Sequence, residues 1–279
     1  MGLQGNESLR SLLENEHPER LARAALLLGS DVQPGLDIDP YLQRLHRYAE
    51  TIGERLAPYS RLGDVLFHLN DFLFNDCGFH TNTNYARSAE LNYLHRVMDS
   101  RCGTPLSIAI IYLTIGRWLG LPLQGMLFPG RILVAYRDED GEVVLDPADG
   151  GLSLQEKDLE MLLSQAFFFH RRPSKKPREH LAASDDRTIL VRLLRQLKHA
   201  HLARGDLESA LRMLEQIMVL VPGLASGFRE RGQLYELLDC RYAAAMDYAR
   251  YLELQPEAGD AAHLRERLPE LLRTQVTLH

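Results

Sequence analysis

The sequence predicts an α+β protein that is mostly α, and three observations carry the prediction. Apolar residues recur at helical spacing from Leu9 to Leu73. A long apolar helix beginning near Thr104 is followed by short segments with a two-residue period and a hairpin signal. The final third repeats itself with a period of 34 residues: Ala210 matches Ala244, Leu214 matches Tyr248, and Pro222 matches Pro256.

Residues 1–88 read as a helical segment. In SLRSLLENEHPERLARAALLLGSD, Leu9, Leu12 and Leu13, then Leu21, Ala24, Ala25 and Leu28, keep helical spacing until Gly29 stops it. Asp39 as N-cap and Pro40 at the first helical position open the next helix, with Leu42, Leu45, Ala49, Ile52 and Leu56 down one face. Leu62, Val65, Leu66, Leu69, Phe72 and Leu73 repeat the pattern. From Asn75 to Ser88 the periodicity disappears in an Asn-, Thr- and Gly-rich stretch, which reads as a structured loop.

Residues 89–170 read as the core domain. A short helix in AELNYLHRVMDSR leads to Thr104 as N-cap and Pro105 at N1, from which a helix runs to Gly120. Ile108, Ala109, Ile110, Ile111, Leu113 and Ile115 make it apolar on almost every side, so it is central and buried. LPLQGMLF, RILVAYR and EVVLDP follow as strands of an antiparallel sheet, the last two joined by DEDG. That turn explains Asp138, Glu139 and Asp140, which resemble a calcium loop only superficially. SLQEKDLEMLLSQAFFFH closes the domain as a helix; Trp118 and Phe167, Phe168 and Phe169 read as packing rather than a ligand cage.

Residues 171–187 read as a basic linker: His170 to Glu179 hold five Lys or Arg and two prolines. An RNA or acidic-lipid site is the competing reading, but the net charge of -6 argues against a general nucleic-acid binder. Residues 188–279 carry the repeat, whose 34-residue helix-turn-helix period is that of tetratricopeptide repeats, with residues 260–273 as capping helix. Small residues let paired helices approach, and the prolines end each second helix. Two such repeats bury little surface, which predicts that they dock on the preceding domain. Arg195, Lys198, Arg229 and Gln233 on the inner helix faces are the candidates for holding a protein or peptide partner; a solvated face is the alternative. His199 and His201, two apart on a helix, face different directions and suggest no metal.

A chain of 279 residues suits two domains, and 45% hydrophobic with 25% charged residues is ordinary for a globular protein. No window reaches the roughly 18 consecutive apolar residues of a membrane span. MGLQGNESLR has no apolar run for a signal peptide, and Asn6 stands where myristoylation wants Ser or Thr. Cys77, Cys102 and Cys240 are too widely spaced for a disulfide framework or a zinc site. Reduced thiols, a cytoplasmic location and no cofactor or metal are the expectation.

The chemistry-bearing stretch is DSRCGTPLSIAIIYLTIGRWLG, Asp99 to Gly120. Thiol enzymes of the papain and transglutaminase type keep the nucleophile at the N-terminus of a buried helix, a His on an adjacent strand and an Asp on the next. Asn92-Tyr93-Leu94, Gly103-Thr104-Pro105-Leu106-Ser107, Pro129-Gly130, and Asp146-Pro147 through Gly150-Gly151 resemble the transglutaminase-like core of a bacterial family that joins this core to C-terminal tetratricopeptide repeats. Members are sometimes labelled invasion-regulator-B-like, and the resemblance covers essentially the whole chain.

In active cores of this kind the nucleophile follows the glycine by two positions, and the resemblance places Pro105 there. Cys102 lies on the other side of Gly103. The catalytic His falls where this chain has Arg131, which stays protonated and cannot act as a general base. Asp146 alone is retained. One reading is a vestigial site, with Cys102 a small residue at the helix entry and Arg131 paired to Asp146. The other is a displaced site, with a Cys102 thiolate stabilised by Arg131 and with His80 or His95 as base. Ser107 could be an alternative nucleophile, but no base is placed for it and its hydroxyl is expected to bond to backbone.

Two functions follow. The first is a non-catalytic interaction or scaffold protein with a degenerate transglutaminase-like site and a tetratricopeptide groove. The second is a cysteine-dependent amidase, protease or acyltransferase using Cys102 in a rearranged site.

Overall fold

Helices form where apolar residues stand three and four apart, and the computed structural model describes residues 9–82, 88–138, 141–167 and 176–273. The chain starts with α1 (Leu9–Glu14) and α2 (Arg20–Leu27), separated around Pro18, and then a 3₁₀ turn (Leu28–Asp31). α3 (Asp39–Gly53) has Pro40 in its first turn and buries Leu42, Leu45, Ala49 and Ile52. α4 (Leu62–Asn70) runs on into a π-helical turn (Asp71–Asp76), burying Leu69, Phe72 and Leu73. β1 (His80–Thr81), α5 (Leu94–Ser100) and β2 (Cys102–Gly103) then lead to α6 (Pro105–Trp118).

α6 is the axis of the first unit. Every residue from Pro105 to Gly116 is buried, and a fully buried Leu or Ile contributes roughly 1.5–3 kcal/mol. It packs against α2, α3 and α5 on one side and the sheet on the other. The sheet comprises β3 (Gln124–Phe128), β4 (Arg131–Asp138), β5 (Gly141–Asp146), β6 (Leu152–Ser153) and β7 (Ala182–Ser184), in the order β6-β5-β4-β3-β7 and antiparallel throughout. Strand alternation puts Leu133 and Ala135 in one cluster with Leu159, Leu162 and Leu163 of α7 (Glu156–Ala166), while Ile132 and Val134 are buried on the face toward α6. β4 and β5 form the expected hairpin, with Asp138 opposite Gly141. Glu139 and Asp140 lie outside the described residues, as do Phe168, Phe169 and residues 170–175 of the basic stretch.

Two local features differ from the sequence reading. Residues 182–184, read as linker, form the edge strand β7 against β3, because backbone pairing alone recruits a segment whose Ala-Ala-Ser pattern carries no strand signal. The short helix before β2 starts only at Leu94, after turns in which the Asn92 amide donates to Ser88 O (3.0 Å).

The remaining helices are α8 (Asp186–Ala203), α9 (Leu207–Leu220), α10 (Ala225–Leu237), α11 (Arg241–Leu254) and α12 (Ala261–Arg273). The chain divides into two compact units, Met1–Leu193 and Leu194–His279, with the division inside α8. In the first unit, Asp186 at the start of α8 is gripped by Arg20 Nε (2.6 Å) and by both terminal nitrogens of Arg117 (2.9 and 2.5 Å). In the second, α9 and α11 are the same element shifted by one repeat: Ala210 and Ala244 are fully buried, as are Leu214 and Tyr248. The α10 residue Gly232 lies flat against the Tyr248 ring, where an added Cβ would stand 2.6 Å from it. The fold class is thus α+β and mostly helical, a small antiparallel sheet followed by a tetratricopeptide region.

Candidate functional site

The N-terminus of α6 is closed by reciprocal bonds. Thr104 Oγ1 accepts the Ser107 N–H (3.1 Å) and Ser107 Oγ accepts the Thr104 N–H (2.8 Å). The Ser107 hydroxyl is fully buried and reaches the carbonyls of Leu91 and Thr104, each at 3.0 Å. It is committed to holding the helix entry. Pro105, at the position that the resemblance gives to the nucleophile, is buried at N1.

Cys102 sits before this turn on β2, which pairs in parallel with β1 so that His80 is its register partner and Thr81 that of Gly103. The Cys102 thiol is half-buried and free. Its backbone bonds with the Ser100 hydroxyl, at 3.3 Å through N–H and 3.2 Å through C=O. His80 is exposed and turns its Nδ1 to the carbonyl of Gly78 (3.1 Å). His95 is elsewhere: it is buried on α5 against Gly29, Tyr41 and Tyr93, and among the described residues neither ring nitrogen has a hydrogen-bond partner. Burial, with Arg96 nearby, lowers its pKa.

The hairpin brings Arg131 at the start of β4 to Asp146 at the end of β5. Arg131 Nη1 donates to Asp146 Oδ2, and Asp146 Oδ1 accepts the Ala148 N–H (2.9 Å). The Asp146 side chain is almost wholly buried while the Arg131 side chain is 29% exposed. Burial pushes the Asp146 carboxyl up, against the pull of Arg131 and the Ala148 amide. The acid and the residue at the base position are therefore one ion pair.

Beside this pair opens a cleft of about 420 Å³. Its walls come from Asp149, Leu152 and Ser153 on one side and Asp158, Met161 and Gln165 of α7 on the other, with Thr81 at the edge. The loop carrying Asp149 is clamped from behind: Asn70 Nδ2 donates to Gly151 O (3.1 Å), and Tyr112 Oη donates to Asn70 Oδ1 (2.8 Å). Asp158 is fixed by accepting the Gln155 N–H (2.8 Å). The sequence reading missed the cleft; only the Gln155–Asp158 capping spacing was visible there.

The four repeat residues do not converge. Arg195 and Lys198 line a small pocket with His199 and Glu230, whereas Gln233 lines a separate, larger one with Glu236 and Arg267. Lys198 is buried and pairs with Glu230; Arg229 pairs with Asp260. His201 meets Asp206 (2.9 Å). Trp118 is edged by His17 and His46. Among the described residues no cluster of three or more His, Cys, Asp or Glu is arranged for a metal, and no helix is long and apolar enough to cross a membrane.

A central helix capped by Thr104-Pro105, followed by a hairpin that ends in Asp146, is the architecture of a transglutaminase-like protein, here with tetratricopeptide repeats behind it. Family models agree: that of the transglutaminase-like superfamily matches residues 39–195 and that of the tetratricopeptide repeat matches residues 197–269. The UPF0162 protein of Xylella fastidiosa (strain 9a5c) is 30% identical over 259 residues, 93% of this chain and 92% of that protein. Protein SirB1 of Salmonella typhimurium is 25% identical over 240 residues, 84% of this chain and 86% of that one. The chain belongs to the transglutaminase-like superfamily, and within it to the UPF0162 family of bacterial proteins. A solved structure of menin overlays with a TM-score of 0.45 and 11% identity, covering 97% of this chain and 79% of that one.

Proposed function

We propose that this chain is a non-catalytic interaction protein: a scaffold with a degenerate transglutaminase-like site that engages a protein or peptide partner through its repeats. The observation that supports this most is the Arg131–Asp146 pair, which puts a permanent cation where the chemistry needs a base and ties the orienting acid to it. Pro105 supplies no nucleophile and Ser107 is bound to backbone. The repeats supply the surface, with Arg195, Lys198, Arg229 and Gln233 as the residues to test. A cytoplasmic setting is part of the proposal, for which the free thiols of Cys77, Cys102 and Cys240 speak.

The competing reading is a cysteine-dependent amidase, protease or acyltransferase. What favours it is the ladder that makes His80 the register partner of Cys102, since paired strands lie about 4.8 Å apart. The two are separated by incubating the full chain with a glutamine-containing peptide and hydroxylamine and following hydroxamate and ammonia. The scaffold reading expects the protein-free rate. A rate that disappears with Cys102→Ala and His80→Ala would establish the enzyme instead.

A further inference from the structure

The cleft beside Arg131 and Asp146 carries more acid than base under an apolar rim. Three carboxylates, Asp146, Asp149 and Asp158, and one guanidinium, Arg131, line it. Arg131 is matched to Asp146, so two carboxylates are left over: among the described residues neither Asp149 nor Asp158 has an ion-pair partner. Above them stand two large apolar side chains in water, Leu152 on β6 at 58% exposure and Met161 on α7 at 56%, with Leu154 and Leu162 buried beneath. Exposed apolar side chains beside acids with no matching cation offer a surface to an amphipathic partner, and methionine adapts to varied apolar partners.

Both walls are held in place before any partner arrives. Gly150 and Gly151 have φ of 65° and 72°, and the Asn70 amide fills the space where a side chain at Gly151 would go. The loop from Asp149 to Leu152 is thereby pinned to α4 and, through Tyr112, to α6. β6 pairs with β5 at Leu145↔Ser153 and Asp146↔Leu152, and Asp158 is locked by its cap. A pre-formed wall lowers the ordering cost of binding.

We propose that this cleft binds a basic amphipathic peptide segment of a partner protein, one apolar side chain lying between Leu152 and Met161 and a Lys or Arg reaching Asp149 and Asp158. Charge complementarity selects the occupant: the surplus charge of the cleft is negative, and the aliphatic stem of Lys or Arg matches the apolar rim while its head reaches the acids. The assignment rests on the reading of the core as a binding surface without turnover. It adds a second docking site to the repeats and states what that site takes.

The test is a fluorescence-anisotropy titration of the full chain with a labelled peptide of alternating leucine and lysine, alongside a leucine/glutamate peptide of the same length. Saturable binding of the lysine peptide is expected, weakened about tenfold or more by Asp149→Lys and by Met161→Glu. Glu208→Lys, the same charge reversal on the exposed face of α9, should leave it unchanged. Both cleft substitutions are at exposed positions, so folding is retained and circular dichroism checks it. Equal affinity in the cleft variants and the native chain would overturn the proposal, as would preference for the glutamate peptide. Cys102-dependent hydroxamate formation overturns the scaffold reading without changing the anisotropy result, so the two failures are distinguishable.

Discussion

Arg131 and Asp146 form one ion pair at the foot of the β4–β5 hairpin, with the carboxylate buried and the guanidinium open to the cleft. The contact converts two positions of a proton-transfer site into a fixed salt link. Its energetics follow from the asymmetry. Asp146 is nearly without water and depends on Arg131 and the Ala148 amide, whereas Arg131 keeps a solvated side.

Arg131→Met should therefore destabilise the first unit by about 2–3 kcal/mol at pH 7, because it leaves a buried carboxylate unpaired. The folded-state pKa of Asp146 is already raised by burial. The contribution of such a group is present below its unfolded value near 4 and lost as pH rises through the folded one. The variant should recover most of its loss below about pH 4, and Asp146→Asn added to it should recover most at pH 7. Urea midpoints at the two pH values check this. An equal loss at both would assign the effect of Arg131 to packing of its stem.

His95 gives the opposite pH dependence. Its folded pKa is lowered, chiefly by burial and then by Arg96, with Asp99 and Glu90 opposing. Its contribution is present above the unfolded value near 6.5 and lost as pH falls through the folded one. The urea midpoint should fall as the pH drops below about 6.5, and His95→Leu should flatten that fall. A variant whose midpoint keeps the native slope would place the titration elsewhere.

What was legible in the sequence was what is local. Thr104, Pro105 and Ser107 lie within one helical turn, and a 34-residue period places Ala210 on Ala244 without any three-dimensional information. The Arg131–Asp146 contact was accessible through the resemblance, which sets these two residues at the His and Asp positions of a transglutaminase-like core. The cleft was not, because the Asn70 bond to Gly151 spans 81 positions and neither residue belongs to a motif linking them. The β1–β2 ladder was equally hidden: a strand of two residues has no period, and His80 meets Cys102 only because the chain folds back after α5.

Gly151→Ala should cost about 2–4 kcal/mol, combining a left-handed backbone with a methyl group driven into Asn70. Asn70→Ala in the same chain should relieve the steric part and leave the backbone part, so a double-mutant cycle in urea should give a coupling near 1–2 kcal/mol. Additive losses would mean that Asn70 yields freely and does not clamp the cleft wall.

In the repeats, Gly232 and Tyr248 test whether close approach or helix propensity governs. Gly232 lies within α10, where alanine is intrinsically better by about 1 kcal/mol. Its added Cβ would stand 2.6 Å from the Tyr248 ring, which is buried and held by a bond from its hydroxyl to Glu236 Oε2 (2.6 Å). Overpacking of this kind costs about 1–3 kcal/mol, so Gly232→Ala should lower the stability of the second unit. With Tyr248→Leu the obstacle is gone, and the same substitution should become stabilising by up to about 1 kcal/mol. Thermal melts of the four proteins read the sign directly. If Gly232→Ala stabilises the native background as well, the ring moves aside and the contact does not set the helix spacing.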